Sequence, residues 1–156
     1  MCGIFGLLSQ KQFSYNERRL QKGLELLEHR GPDDNGISSF HFDNRNLSLG
    51  HTRLSIIDLS SGGHQPMQYQ DGRYTIVFNG EIYNAMEHYA SDGECIIPKY
   101  LQHGFFFPNM LDGEFAICLV DYANERIVLS SDVFATKPIW YAINGDKIGV
   151  ATFESA

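Results

Sequence analysis

The stretch Met1-Cys2-Gly3-Ile4-Phe5-Gly6 opens the chain with a cysteine one residue behind a methionine, at the head of an apolar run that continues through Leu7 and Leu8. Once Met1 is removed, Cys2 carries a thiol and a free α-amine on the same residue, with ordinary pKa values of about 8.5 and about 7.7–8.0. A nucleophile and a base then sit together, and the amine can take the thiol proton directly or through a water. The same residues also read as a small core cysteine starting a strand, since free cysteine is among the most buried residue types. Six residues alone leave both readings open.

Outward from this start, the whole chain of 156 residues suits one domain, 1–156, with enough length to bury about two-thirds of its unfolded surface. A net charge of −7 without any basic stripe argues against nucleic acid or an anionic membrane as partner. The apolar runs are far shorter than a membrane span, and the N-terminus lacks the basic start of a secretory signal, so a cytoplasmic protein is expected. Three cysteines without CxxC spacing indicate neither a disulfide framework nor a zinc site. Cys95 and Cys118 stand in apolar surroundings and read as core.

After a first strand over Cys2 to Ser9, Ser14 and Glu17 have capping-box spacing. Leu20, Leu24 and Leu27 then recur at helical period, and Gly31-Pro32-Asp33-Asp34 ends the helix. Alternation predicts a hairpin from Gly36–Asp43 and Leu47–Leu54, turning at Asn44-Arg45-Asn46. Ser60 to Pro66 (SSGGHQP) is a polar loop, Asp71-Gly72 is a hairpin turn, and Thr75–Phe78 is a strand predicted to stop at Asn79-Gly80. Glu94 to Gln102 reads as a helix that Pro98 should kink or shorten. Four further strands are predicted over Glu114–Asp121, Arg126–Ser131, Pro138–Ile143 and Lys147–Phe153. The census is that of an α+β protein with antiparallel sheets.

Three places carry further chemistry. Asn79-Gly80-Glu81 brings a side-chain amide and a glycine N–H to one point, which an oxyanion hole requires, although the tripeptide by itself is a turn signal. Arg53 lies in an otherwise apolar strand, where a guanidinium either pairs with an acid or receives a carboxylate ligand. Asp92 precedes Gly93-Glu94 at helix N-cap spacing.

In order, MCGIFG (1–6), HRGPDD (29–34), GHTRLSIIDLSSGGHQPM (50–67), FNGEIYN (78–84), SDGE (91–94), LDGEFAICLVD (111–121) and SDVFATKPIWY (131–141) resemble the glutaminase domains of class II glutamine amidotransferases. The style is that of glutamine-hydrolysing asparagine synthetases. The resemblance implies a four-layer αββα sandwich of two antiparallel sheets, the N-terminal nucleophile hydrolase type, here shortened. It implies that Cys2 attacks the side-chain amide of glutamine with its own α-amine as base, so that activity requires loss of Met1. Asn79 and Gly80 would hold the oxyanion. Arg53 would clamp the α-carboxylate and Asp92 the α-ammonium, with Ile57, Gly80 and Glu81 lining the same substrate pocket. The SSGGHQP loop would fold over the substrate. His29, His51 and His64 have no catalytic role in this scheme and are expected to be loop or core residues. Glutamine is the implied substrate, no cofactor or metal is implied, and the implied partner is a synthetase domain or subunit that uses the ammonia.

The sequence departs from that pattern in particular places. Only seven residues separate Asn84 from Asp92, where a helix and a strand are usual, which puts the delivery of Asp92 in question. Ala135 stands where the family has glycine, and is strained if that position needs a positive φ. The chain shows no synthetase domain and no SGGxDS loop. A glutaminase module supplying ammonia, and a non-catalytic amidotransferase-like or truncated domain with a binding role, are the two readings that result.

Overall fold

A computed structural model describes residues 1–10, 17–42, 45–56, 58–85 and 89–154. Its strands are β1 (Gly3–Gln10), β2 (Asp34–Phe42), β3 (Arg45–Arg53), β4 (Met67–Tyr69), β5 (Tyr74–Ile82), β6 (Gly113–Asp121), β7 (Arg126–Ser131), β8 (Trp140–Asn144) and β9 (Lys147–Ala151). The α-helices are α1 (Glu17–Leu27) and α2 (Ile96–His103). One antiparallel sheet has the order β2-β3-β1-β9-β8, and the other β4-β5-β6-β7.

The layers follow from which residues each strand turns inward. Ile4, Leu8, Leu47, Leu49 and Val150 of the first sheet meet Val77, Ala116, Cys118 and Val120 of the second in one buried cluster. Alternate residues of the same strands face the other way. Ile76, Phe78, Phe115, Ile117 and Leu119 pack with Ile96, Ile97 and Tyr100 of α2 and with Phe107. On the far side, the apolar stripe of α1, with Leu20, Leu24 and Leu27 buried, lies on β1 and β3. The order is therefore helix, sheet, sheet, helix, an α+β sandwich of the N-terminal nucleophile type. Full burial of each large aliphatic chain contributes roughly 1.5–3 kcal/mol, so the two clusters carry most of the driving force.

Several boundaries differ from the periodicity reading. The strand predicted to end at Phe78 runs on to Ile82, pairing Asn79 with Ala116 and Gly80 with Phe115. The turn signal fails because the edge groups of this segment are satisfied by side chains from elsewhere. Pro98 does not kink α2: it is the third residue of the helix, in the first turn, where a missing N–H is least costly. A 3-10 turn, Asp92–Cys95, leads into that helix. The β2–β3 hairpin forms, with β3 already starting at Arg45. Of the capping box, Ser14 lies outside the described residues. Cys95 and Cys118 are buried free thiols in the core. Among the described residues, no helix is long and apolar enough to cross a membrane.

Candidate active site

The register of β5 decides what this strand offers to its open edge. Tyr83 N donates to Asp112 O at 2.7 Å, so the odd-numbered residues of β5 bond to β6 and the even-numbered ones face the opposite side. There β4 covers β5 only as far as Ile76, which pairs with Met67. Beyond it, Phe78 N donates to the Gln65 Oε1 at 2.6 Å and Ile82 N donates to the Asp92 Oδ2 at 3.0 Å. Between these two capped positions, Gly80 turns its N–H toward a cleft lined by Cys2, Arg53, Asn79, Glu81, Asp92 and Lys137. Gly80 has φ +150°, and a Cβ there would overlap the Glu114 carbonyl, so no other residue fits. Asn79 is buried, and its Nδ2 has no hydrogen-bond partner among the described residues. An unpaired amide donor and an outward backbone N–H on consecutive residues are the donor pair an oxyanion needs.

Cys2 reaches the same cleft from the start of β1. Leu54 N donates to its Sγ at 3.4 Å, and Arg30 Nε donates to its carbonyl at 2.9 Å. Burial pushes the Cys2 thiol up; the Leu54 backbone and the Arg53 guanidinium pull it down without reversing that, and Asp92 adds to the rise. A thiol held above its ordinary range is protonated near neutral pH, so attack by its sulfur requires a base to take the proton.

Arg53, at the end of β3, is buried. Nη1 donates to the Ser60 carbonyl at 2.7 Å, Nη2 donates to the Asp58 carbonyl, and the Asp58 carboxylate stands 3.8 Å away. The guanidinium is therefore both paired with an acid and turned to the cleft, and donors beyond those two bonds remain for a carboxylate. The SSGGHQP loop is seated on it: a Cβ at Gly63 would overlap Arg53 Nη2. His64 Nδ1 also lies 2.7 Å from Asp34 Oδ2.

Asp92 is present at the cleft despite the short segment before it. Its Oδ1 accepts from Gly93 N at 3.0 Å, and with the Ile82 bond this fixes the carboxylate on β5 instead of at a helix cap. Burial raises its pKa against the pull of those two N–H groups. Asn84, before the short segment, donates to Met110 O at 3.0 Å and accepts from Asp112 N at 3.1 Å. Of the sequence-predicted site residues, Cys2, Arg53, Asn79, Gly80, Glu81 and Asp92 converge on one cleft, while Ile57 lies outside the described residues.

A family model described as a glutamine amidotransferase domain matches residues 1–156. The chain belongs to the glutamine amidotransferase family. Similar curated proteins include glutamine-hydrolysing asparagine synthetase 1 of Bacillus subtilis, 30% identical over 167 residues, covering 97% of this chain and 26% of the relative. Glutamine-hydrolysing asparagine synthetase 1 of Saccharomyces cerevisiae is 37% identical over 143 residues, covering 85% of this chain and 24% of the relative. Amidase chyE of Penicillium rubens is 36% identical over 175 residues, covering 97% and 25%. The chain thus spans about a quarter of the length of these relatives.

This amidotransferase domain also uses residues that sequence reasoning passed over. Asp132 is buried and accepts from Phe115 N at 3.2 Å, Phe134 N at 3.0 Å, Thr136 N at 3.0 Å and Thr136 Oγ1 at 3.1 Å. Burial works to raise its pKa, but the N–H groups of Thr136 and Phe134 prevail and hold it below the usual carboxylate range. The loop so anchored places Ala135 at φ +50°, the strain expected of that position, and carries Lys137 to the cleft wall, where Nζ meets Glu114 Oε2 at 2.9 Å. Asp132 carries a sequence signal of a general kind, since an aspartate side chain commonly accepts from the backbone two residues on in a turn, as Oδ1 does from Phe134 N. Gln65 and His51 carry none, because their partner is a main-chain group of a distant strand.

Proposed function

We propose that this domain hydrolyses the side-chain amide of glutamine through a thioester on Cys2. The observation that carries the reading is that Cys2, Asn79, Gly80, Arg53 and Asp92 line one cleft. After removal of Met1, the α-amine of Cys2 takes the thiol proton as sulfur bonds to the amide carbon. Negative charge develops on the amide oxygen, toward the Gly80 N–H and the Asn79 Nδ2, the latter without a partner among the described residues. The amine then returns the proton to nitrogen, the C–N bond breaks and ammonia leaves. Water cleaves the thioester to glutamate and restores the thiol. Arg53 takes the α-carboxylate and Asp92 the α-ammonium, so that free glutamine is distinguished from a glutamine within a peptide.

Ammonia released here serves an amidotransfer carried out by a synthetase domain or subunit, and asparagine synthesis is the acceptor reaction favoured by the asparagine synthetases among the relatives. The short segment after Asn84 points toward a degenerate, non-catalytic domain, whereas the anchoring of Asp92 to Ile82 favours the enzyme. The test offers free L-glutamine, D-glutamine and a glutamine-containing peptide to protein with Cys2 at its terminus. Ammonia release from L-glutamine alone is expected. No release, together with no glutamine binding by calorimetry, would establish the non-catalytic reading instead.

A further inference from the structure

The Phe78 main chain, immediately before Asn79 and two residues from Gly80, is bracketed by two buried side chains from other parts of the fold. Gln65 Oε1 accepts from Phe78 N at 2.6 Å, and His51 Nε2 lies 3.1 Å from Phe78 O. A carbonyl only accepts, so Nε2 must carry the proton. That fixes the tautomer and leaves Nδ1 without a proton; it has no partner among the described residues. His51 is fully buried between the sheets, and burial pushes its pKa down to about 3, with Asp34, Arg53 and His64 as its charged or titratable neighbours. It therefore stays neutral and in one tautomer over the whole working range of pH.

These two bonds replace a neighbouring strand. Past Ile76 the outward groups of β5 have no β4 to pair with, and a strand edge without partners frays or hydrates. Gln65 and His51 occupy the two outward groups of Phe78, so the edge stays ordered up to Asn79, and Asp92 secures it again at Ile82. Gly80, between the anchors, is the residue whose N–H remains available. Resting on the function proposed above, we infer that His51 and Gln65 are positioning residues that set the oxyanion donors of Asn79 and Gly80 by bracketing Phe78. Gln65 belongs to the loop whose other end, at Asp58 and Ser60, is held by Arg53, so one loop touches both the carboxylate clamp and the oxyanion strand.

The test compares His51→Leu, which removes the donor, Gln65→Met, which removes the acceptor, and His51→Gln, whose amide nitrogen can reach the place of Nε2. In protein with Cys2 at its terminus, the first two lower kcat for glutamine by about tenfold or more while KM stays within about twofold, since only the transition state bears the oxyanion charge. His51→Gln regains most of the loss. The Gly80 amide resonance, assigned in the parent by NMR, shifts in His51→Leu and Gln65→Met and returns toward its parent position in His51→Gln. Unchanged kcat in both variants overturns the inference, as does a change confined to KM. If the parent hydrolyses no glutamine, the proposed function is refuted and the Gly80 resonance decides: a resonance unmoved by both substitutions shows that the bracket does not set this segment. Should His51→Leu fail to fold, Gln65→Met carries the same comparison.

Discussion

The two walls of the cleft are built by different means. The strand wall, Phe78 to Ile82, takes its geometry from register: strand pairing to β6 on one side, and Gln65, His51 and Asp92 completing the other. The loop wall, 58–66, has no strand pairing and takes its geometry from side-chain contacts, chiefly Arg53 with the carbonyls of Asp58 and Ser60. In the proposed reaction, charge that develops falls on the strand wall, whereas the α-carboxylate the substrate brings with it falls on Arg53 at the loop side and only its α-ammonium on the strand wall, at Asp92. A fixed donor pair favours a transition state, whereas a guanidinium shared with a loop favours recognition of what is bound. Damage to one wall should therefore appear in kcat, and damage to the other in KM.

The largest expected effect lies on the strand wall. Asn79→Ala removes a donor used only by the oxyanion, and kcat should fall by about 10²–10³, or about 2.7–4 kcal/mol, with little change in KM. An unchanged kcat in steady-state assays would return Asn79 to a structural role.

Next comes the loop side. Arg53→Ala removes a charged hydrogen-bond donor worth roughly 1.5–3 kcal/mol, so KM should rise by about one to two orders of magnitude. Asp92→Ala should raise KM similarly, but because Asp92 also holds Ile82 N it should lower kcat as well, which Arg53→Ala should not. Equal kcat and KM effects from Arg53→Ala and Asn79→Ala would erase the distinction between the walls.

The smallest effect is on stability and pH. His51 has its pKa pushed down to about 3 by burial, while in the unfolded chain it titrates near 6.5. Below about 6.5 the unfolded state binds a proton that the native state refuses, so this contribution to stability is intact above that pH and is lost as pH falls toward 3. His51→Gln removes the titration. Denaturant melts at pH 7 and pH 4.5 should show a smaller acid-induced loss in His51→Gln than in the parent, by on the order of one to a few kcal/mol. Identical losses would show that His51 does not differ between the two states.

Much of this was legible in the sequence where the signal is local. Leu20, Leu24 and Leu27 mark a buried helix face, alternation marks the strands, and the motifs around Cys2, Arg53, Asn79 and Asp92 name residues that do share one cleft. What was not legible is non-local. Asn79-Gly80 reads as a turn because the caps that keep it a strand, Gln65, His51 and Asp92, lie elsewhere in the chain. Likewise Asp92 reads as a helix cap, and its deletion-shortened approach as a defect, until Ile82 N is seen to bind it. Asp132 shows the intermediate case, a local loop pattern whose decisive partner, Phe115 N, is supplied by β6.

The proposed chemistry makes the α-amine of Cys2 the base for its own half-buried thiol. It is tested most directly by preparing the protein in two forms that differ only in the presence of Met1, each verified by intact mass, and measuring ammonia release from L-glutamine. The form ending in Cys2 should turn over, and the form retaining Met1, whose Cys2 nitrogen is an amide without basicity, should not. Full-rate hydrolysis by protein shown to retain Met1 would rule out the terminal amine as the base.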